Sequence, residues 1–169
     1  VTGQAEQGLP LVAQWVETQR QQMAQQPLNF ARQLAPLCHD LLQSSQFTQA
    51  EPYLRECLQL HQQHLPQAWV TADVQSMLGG ALLGQGQRLL KTDRAAAVTQ
   101  FEAAEPLLLE SVAALEKSLE SPRPPTAQRV AATIRRLVTL YQSWENPAAA
   151  AKWRDKLPQP AKVPPGPGS

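Results

Sequence analysis

Apolar positions recur with a helical period along most of the chain. Leu34, Leu37, Cys38 and Leu41 fall on one stripe. Ala50, Leu54, Cys57, Leu58 and His61 fall on a second, and Ile134, Leu137, Val138 and Tyr141 on a third. Spacings of i, i+3, i+4 and i+7 place such residues on one helix face, which is then buried against a neighbour. No segment combines strict apolar–polar alternation with β-branched residues, so the expected fold is all-α, without a sheet. Breaks near Gln26-Pro27, Ser44-Ser45, Leu65-Pro66, Gly84/Gly86, Ser121 to Pro125 and Asn146-Pro147 divide the pattern into about seven helices. Asn146 and Pro147 form the clearest boundary. Asn caps a helix N-terminus well, and Pro is tolerated at the first helical position, where its missing N–H would have had no partner. After Leu157 the chain turns rich in Pro and Gly, and 158–169 reads as a disordered tail or linker.

The pattern repeats. Phe47-Thr-Gln-Ala-Glu-Pro-Tyr-Leu-Arg-Glu56 shares Phe, Ala, Glu, Pro, Leu and Glu with Phe101-Glu-Ala-Ala-Glu-Pro-Leu-Leu-Leu-Glu110 at an offset of 54. Leu9-Pro10-Leu11 places its Pro 42 residues before Pro52 of the first copy. The apolar set 34, 37, 38, 41 recurs at 134, 137, 138, 141, and Ala50 recurs as Ala150, both at an offset of 100. A unit of about 42 residues fits, with about 12 extra residues in one copy and about 4 in another. The larger insert lies between Gly86 and Phe101. Arg88-Leu-Leu-Lys91 extends one helix, and Thr92 or Asp93 caps an early start of the next, which predicts a hairpin lengthened by roughly 9 Å. A mobile loop weakened by Gly84 and Gly86 is the alternative. Pro10, Pro52 and Pro106 recur at one phase inside helices, so a kink or an irregular entry turn is expected there.

Leu34, Leu37, Cys38, Leu41, Ala50, Leu54 and Cys57 follow an order of large and small residues that resembles a tetratricopeptide hairpin. A second copy runs through Gly80, Leu83, Ala104, Leu108 and Ser111, and a third through Ile134, Leu137, Val138, Tyr141 and Ala150. Arg154 departs from the pattern, as in a terminal capping hairpin. The resemblance implies an α-solenoid of antiparallel hairpins over 1–157: a half-repeat at 5–26 and hairpins at 28–65, 67–120 and 125–157. Small residues at Cys38, Ala50, Cys57, Gly80, Ala104 and Ser111 would let helix axes approach to about 8–10 Å. Ala50-Glu-Pro-Tyr-Leu-Arg-Glu-Cys-Leu58, Ser76-Met-Leu-Gly-Gly-Ala-Leu-Leu-Gly-Gln85 and Ala150-Ala-Lys-Trp-Arg154 resemble the kinesin-light-chain-like subclass and the arrays that follow the catalytic domain of some bacterial serine/threonine kinases. The chain opens on Val1 rather than Met, so a piece of a longer protein or a processed product is expected.

Charge narrows the function classes. Fifteen basic and fourteen acidic residues leave a net charge of +1, with no electrostatic case for nucleic acid or an anionic membrane. No apolar run approaches the roughly 20 residues of a membrane span, and no secretory signal opens the chain, so a cytoplasmic location is expected. Cys57 and His61 are spaced i, i+4, as a metal pair can be, but there is no Cys-x-x-Cys. Two small core thiols are the preferred reading, with Cys38 facing its partner helix and Cys57 the following hairpin. No cofactor or metal is expected, and no enzyme: phosphate-loop, nucleophile-elbow and kinase signatures are absent.

What remains is a protein–protein interaction scaffold. The resemblance implies that the first helix of each hairpin lines a concave face that takes a peptide or partner helix. Its outward residues are expected to be Arg32, His39, Gln43, Met77, Gln85, Arg135, Thr139 and Gln142. A regulatory or docking region of a kinase, with its catalytic domain outside this segment, is the alternative function. Self-association through an uncapped solenoid end is a further possibility. Trp15, Trp69, Trp144 and Trp153 are read as packing residues, any one of which would serve as a partner anchor if exposed. Leu54→Ala should cost about 2–5 kcal/mol. Thermal unfolding is expected to lose cooperativity, and an unchanged midpoint would contradict a core role.

Overall fold

The computed structural model describes residues 2–158, with side chains from Pro10 onward. The tail expected at 158–169 lies outside the described residues apart from Pro158. Seven α-helices follow one another: α1 (Thr2–Gln22), α2 (Pro27–Gln43), α3 (Phe47–His64), α4 (Trp69–Leu89), α5 (Arg94–Lys117), α6 (Ala127–Ser143) and α7 (Pro147–Arg154). A short 3-10 turn, Ser118–Glu120, extends α5. Each helix packs mainly on its neighbours in sequence, with added contacts between α2 and α4 and between α4 and α6. α2 with α3, α4 with α5 and α6 with α7 pack as adjacent pairs, and α3 also packs on α4.

The predicted stripes are the core. Ala50, Leu54, Cys57, Leu58 and His61 are the buried residues of α3. Leu34, Cys38 and Leu41 are buried on α2, with Leu37 packed at the edge. Ile134, Leu137, Val138 and Tyr141 are buried on α6. These side chains divide into two clusters. One joins Val16, α2, α3 and Val74, Met77, Leu78 and Ala81 of α4. The other joins Ala72, Leu82 and Leu83 of α4 to α5, α6 and Ala150. Only α4 supplies buried residues to both, so it is apolar on two sides rather than along one stripe.

The insert is helical. α4 runs through Gly84 and Gly86, so the break expected there falls instead at 90–93. Tertiary packing overrides the low helix propensity of Gly. A Cβ at Gly84 would stand 2.5 Å from the ring of Phe47, and one at Gly86 would stand 2.5 Å from the ring of Phe101. These are the two phenylalanines of the internal repeat. One comes from α3 and one from α5, and each seats a ring on α4 where a side chain is missing. The guanidinium of Arg88 lies 5.0 Å from the centre of the Phe47 ring, and Phe101 meets Trp144 at 6.2 Å. Asp93 caps α5, its carboxylate accepting from the Ala96 amide at 2.9 Å. α4 has four more residues than α2, and α5 six more than α3, which adds about 6 and 9 Å.

The internal prolines do not interrupt their helices. Pro36, Pro52 and Pro106 all sit at exposed positions within continuous α-helix. Each deprives the carbonyl four residues earlier of its helical donor. Those carbonyls belong to the exposed residues Arg32, Thr48 and Glu102, on the solvent side of their helices.

Helix ends preserve the repeat as well. Asn146 accepts from the Ala149 amide at 3.1 Å, with Pro147 at the first helical position. Ser45 and Glu145, at the same offset of 100, both have φ of 58°. The amides of Gln46 and Asn146 donate to Leu41 O at 2.7 Å and Tyr141 O at 2.8 Å. Ser45 and Glu145 donate to Leu42 O and Gln142 O. This is the Schellman closure of a helix, made here with residues that carry a Cβ. Because Gly adopts positive φ without the steric penalty, Ser45→Gly should stabilise the protein by roughly 0.5–1 kcal/mol. Urea denaturation checks this, and a lowered midpoint would contradict the assignment.

Candidate functional site

A groove runs along α4, with α2 as one wall and α6 as the other. Trp69, Asp73, Met77, Gly80 and Gly84 line its floor at helical spacing. Three cavities follow one another along it. The first, about 450 Å³, lies between α2 and α4 and is lined by Ala35, Pro36, His39, Trp69, Val74 and Met77, among others. The second, about 370 Å³, shares His39, Asp73, Met77 and Arg129 with the first and adds Ala132 and Arg136 of α6. The third, about 180 Å³, shares Arg136 with the second and reaches Gln43 and Gln87. The first two lie in the size range of small-ligand or side-chain pockets.

The expected site residues divide by wall. Arg32, His39 and Gln43 line the α2 wall and are exposed. Met77 reaches the floor of the first cavity, but it is 5% exposed and belongs to the core rather than projecting outward. Gln85 is partly buried and turned to α3, where its amide donates to the Glu51 carboxylate at 2.7 Å. Arg135, Thr139 and Gln142 lie on α6, outside all three cavities. The α6 wall is made instead by Arg129, Ala132 and Arg136. A helix packed on two sides leaves its groove face beside its buried stripe, not opposite it. That geometry explains the offset from Arg135 to Arg136.

Polar residues on the floor and the α6 wall are tied together across long sequence separations. The Arg129 guanidinium forms an ion pair with Asp73 and lies 5.3 Å from the centre of the Trp69 ring. Burial pushes the Asp73 carboxyl above its ordinary value, and Arg129 and Arg136 oppose that shift. Arg136 Nη1 donates to Ser76 Oγ at 2.7 Å, and Ser76 Oγ lies 2.8 Å from Thr133 Oγ1. Thr133 Oγ1 in turn donates to the Arg129 carbonyl at 3.1 Å. That last bond sets the direction of the chain: Ser76 donates to Thr133 and accepts from Arg136. Ser76 and Thr133 are fully buried. Burial pushes the Arg136 guanidinium down from its ordinary pKa, with Asp73 opposing. None of these partners was legible in sequence, because Ser76–Thr133 and Asp73–Arg129 span separations of 57 and 56 residues.

The cysteines are core residues. Cys38 and Cys57 are both fully buried in the α2–α3 cluster. Cys57 Sγ donates to Ala31 O of α2 at 3.4 Å, so it faces its own hairpin partner and not the following hairpin. Desolvation is the main reason that both thiols are pushed up, Cys57 to about 12. His61 Nδ1 lies 2.8 Å from Cys57 O and donates to it. Among the described residues no three His, Cys, Asp or Glu side chains gather as a metal site. No helix among them is long and apolar enough to cross a membrane. Of the tryptophans, Trp69, Trp144 and Trp153 pack against the second cluster, while Trp15 on α1 is 40% exposed beside Leu11 at 67%.

No family model, curated protein or solved structure matches the chain. Ser76→Ala removes the acceptor that orients Arg136, and it should cost about 1.5–3 kcal/mol, the range for a hydrogen bond to a charged group. In an Arg136→Met background the same change should cost less. Equal costs in the two backgrounds, measured by urea denaturation, would contradict the coupling.

Proposed function

We propose that the chain is an interaction scaffold of tetratricopeptide type, and that the α2–α4–α6 groove takes a peptide or helix from a protein partner. One observation carries the reading: three helices from successive hairpins border one groove with three adjoining cavities, the first mainly apolar and the other two mixed. A solenoid of stacked hairpins accounts for the direct packing of α2 on α4 and α4 on α6. It also accounts for the repeated Schellman closures and for the repeated phenylalanines. The role is binding rather than catalysis: Asp73 is engaged in an ion pair with Arg129, and Arg136 is held by a hydrogen bond to Ser76. A helix or extended segment entering such a groove would place alternate side chains in the first and second cavities. The strings shared with kinase-linked arrays favour one second reading, in which the same groove docks substrates or regulators for a kinase domain elsewhere in the protein.

Peptide display against the whole chain tests the groove directly. Selected peptides are expected to shift the amide resonances of α2, α4 and α6. Binding should weaken by about tenfold when Ala132→Trp fills the second cavity. Trp15→Ala, on α1, should leave it unchanged. Selected peptides that perturb α1 or the outer faces of α3 and α5 instead would overturn the reading.

A further inference from the structure

Arg136 stands where the second and third cavities meet, and it lines both. It has no carboxylate within ion-pair distance among the described residues. Its recorded hydrogen bond goes to a neutral hydroxyl, Ser76 Oγ, at the head of the Ser76–Thr133 chain. That chain fixes Nη1 and leaves the Nε and Nη2 edge of the guanidinium without an acceptor among the described residues. Gly80 provides the room: a Cβ there would come within 2.8 Å of Arg136 Nε. Asp73, the nearest acid on the floor, is already paired with Arg129. The floor and the α6 wall thus hold two guanidiniums and one carboxylate, and the α2 wall adds the exposed Arg32 and Asp40, so guanidiniums exceed carboxylates by one.

A partly buried, oriented cation without a counter-charge is costly to maintain for packing alone, since an apolar side chain would fill the same space. Its planar fork matches a carboxylate in two parallel hydrogen bonds. We propose that Arg136 anchors an anion subsite in the groove, built to receive the side-chain carboxylate of an acidic residue on the protein partner. The inference rests on the docking role of the groove and assigns the chemistry of what docks there. The Arg136 side chain itself covers Gly80; the partner carboxylate is bound by Nε and Nη2, and its neighbouring residues enter the cavities on either side.

The probes are blocked hexaglutamate and blocked hexaglutamine peptides, titrated into the full chain. Binding is measured by calorimetry, and the arginine side-chain N–H resonances are followed by NMR. Hexaglutamate is expected to shift the Arg136 Nε–H signal and hexaglutamine to leave it in place. Arg136→Gln should weaken hexaglutamate binding by about tenfold or more, as loss of a charged hydrogen-bond pair does. Arg135→Gln, one residue away and outside the cavities, should change it by less than about twofold. Gly80→Ala keeps every charge and favours the helix, yet it crowds Nε, so it too should weaken binding. It keeps the test valid if Arg136→Gln fails to fold. Hexaglutamate that does not bind, or that binds Arg136→Gln and Gly80→Ala as tightly as the parent, overturns the proposal. So does inorganic phosphate shifting Arg136 when hexaglutamate does not. Display-selected peptides that occupy the groove while hexaglutamate fails would overturn this inference alone. Selected peptides that map elsewhere while hexaglutamate binds through Arg136 would overturn the docking role and spare the anion subsite.

Discussion

Everything in this molecule depends on a helix that must be buried on two sides. α4 supplies buried side chains to both core clusters, and no other helix does. A helix in that position cannot carry large residues all round, because its neighbours would be held apart. The sequence of α4 meets the constraint with Ser76, Gly79, Ala81, Gly84 and Gly86 among its buried positions. Each Gly inside a helix costs about 1 kcal/mol relative to Ala. Here the cost is offset by aromatic burial: Phe47 and Phe101 set their rings against the gaps from opposite sides. Phe101 is fully buried, and such a side chain contributes about 1.5–3 kcal/mol on removal from water.

The groove follows from the same constraint. With α3 and α5 drawn onto α4 by their phenylalanines, α2 and α6 are left to flank it on the remaining side. Phe47 covers Gly84 and Arg136 covers Gly80, and the third cavity is the space left between these two side chains. Polar residues then line a surface that packing did not need to fill. Two of them, Arg129 and Arg136, reach across from α6 to Asp73 and Ser76 of α4, which ties the wall to the floor. The groove and the core are therefore two faces of one helix.

Much of the fold was legible in the sequence because it is encoded locally. Periodicity placed the stripes of α2, α3 and α6, and the Asn146-Pro147 pair marked the start of α7. Repetition at an offset of 100 anticipated two hairpins that share even their closing turns. Glycine in α4 misled: as a local signal Gly84 and Gly86 read as a break, whereas their role is set by rings 37 and 15 residues away. Of the groove's lining, only the α2 wall was legible, through Arg32, His39 and Gln43 beside a clear apolar stripe. On α6 the groove face is a flank, and no periodicity argument distinguishes Arg136 from Arg135. Long-range pairs such as Ser76–Thr133 leave no trace in spacing, and Cys57 faced its own hairpin for a similar reason: its contact is set by the helix crossing.

Native-state hydrogen exchange on Gly86→Ala tests the central role of α4 most directly. Ala is the better helix former by about 1 kcal/mol, but its Cβ would press on the Phe101 ring, and overpacking costs about 1–3 kcal/mol. The account predicts that amide protection falls in α2–α3 and in α5–α6 together, because both clusters close on the one helix. Protection that rises, or that falls around Phe101 while α2–α3 is unaffected, would contradict it.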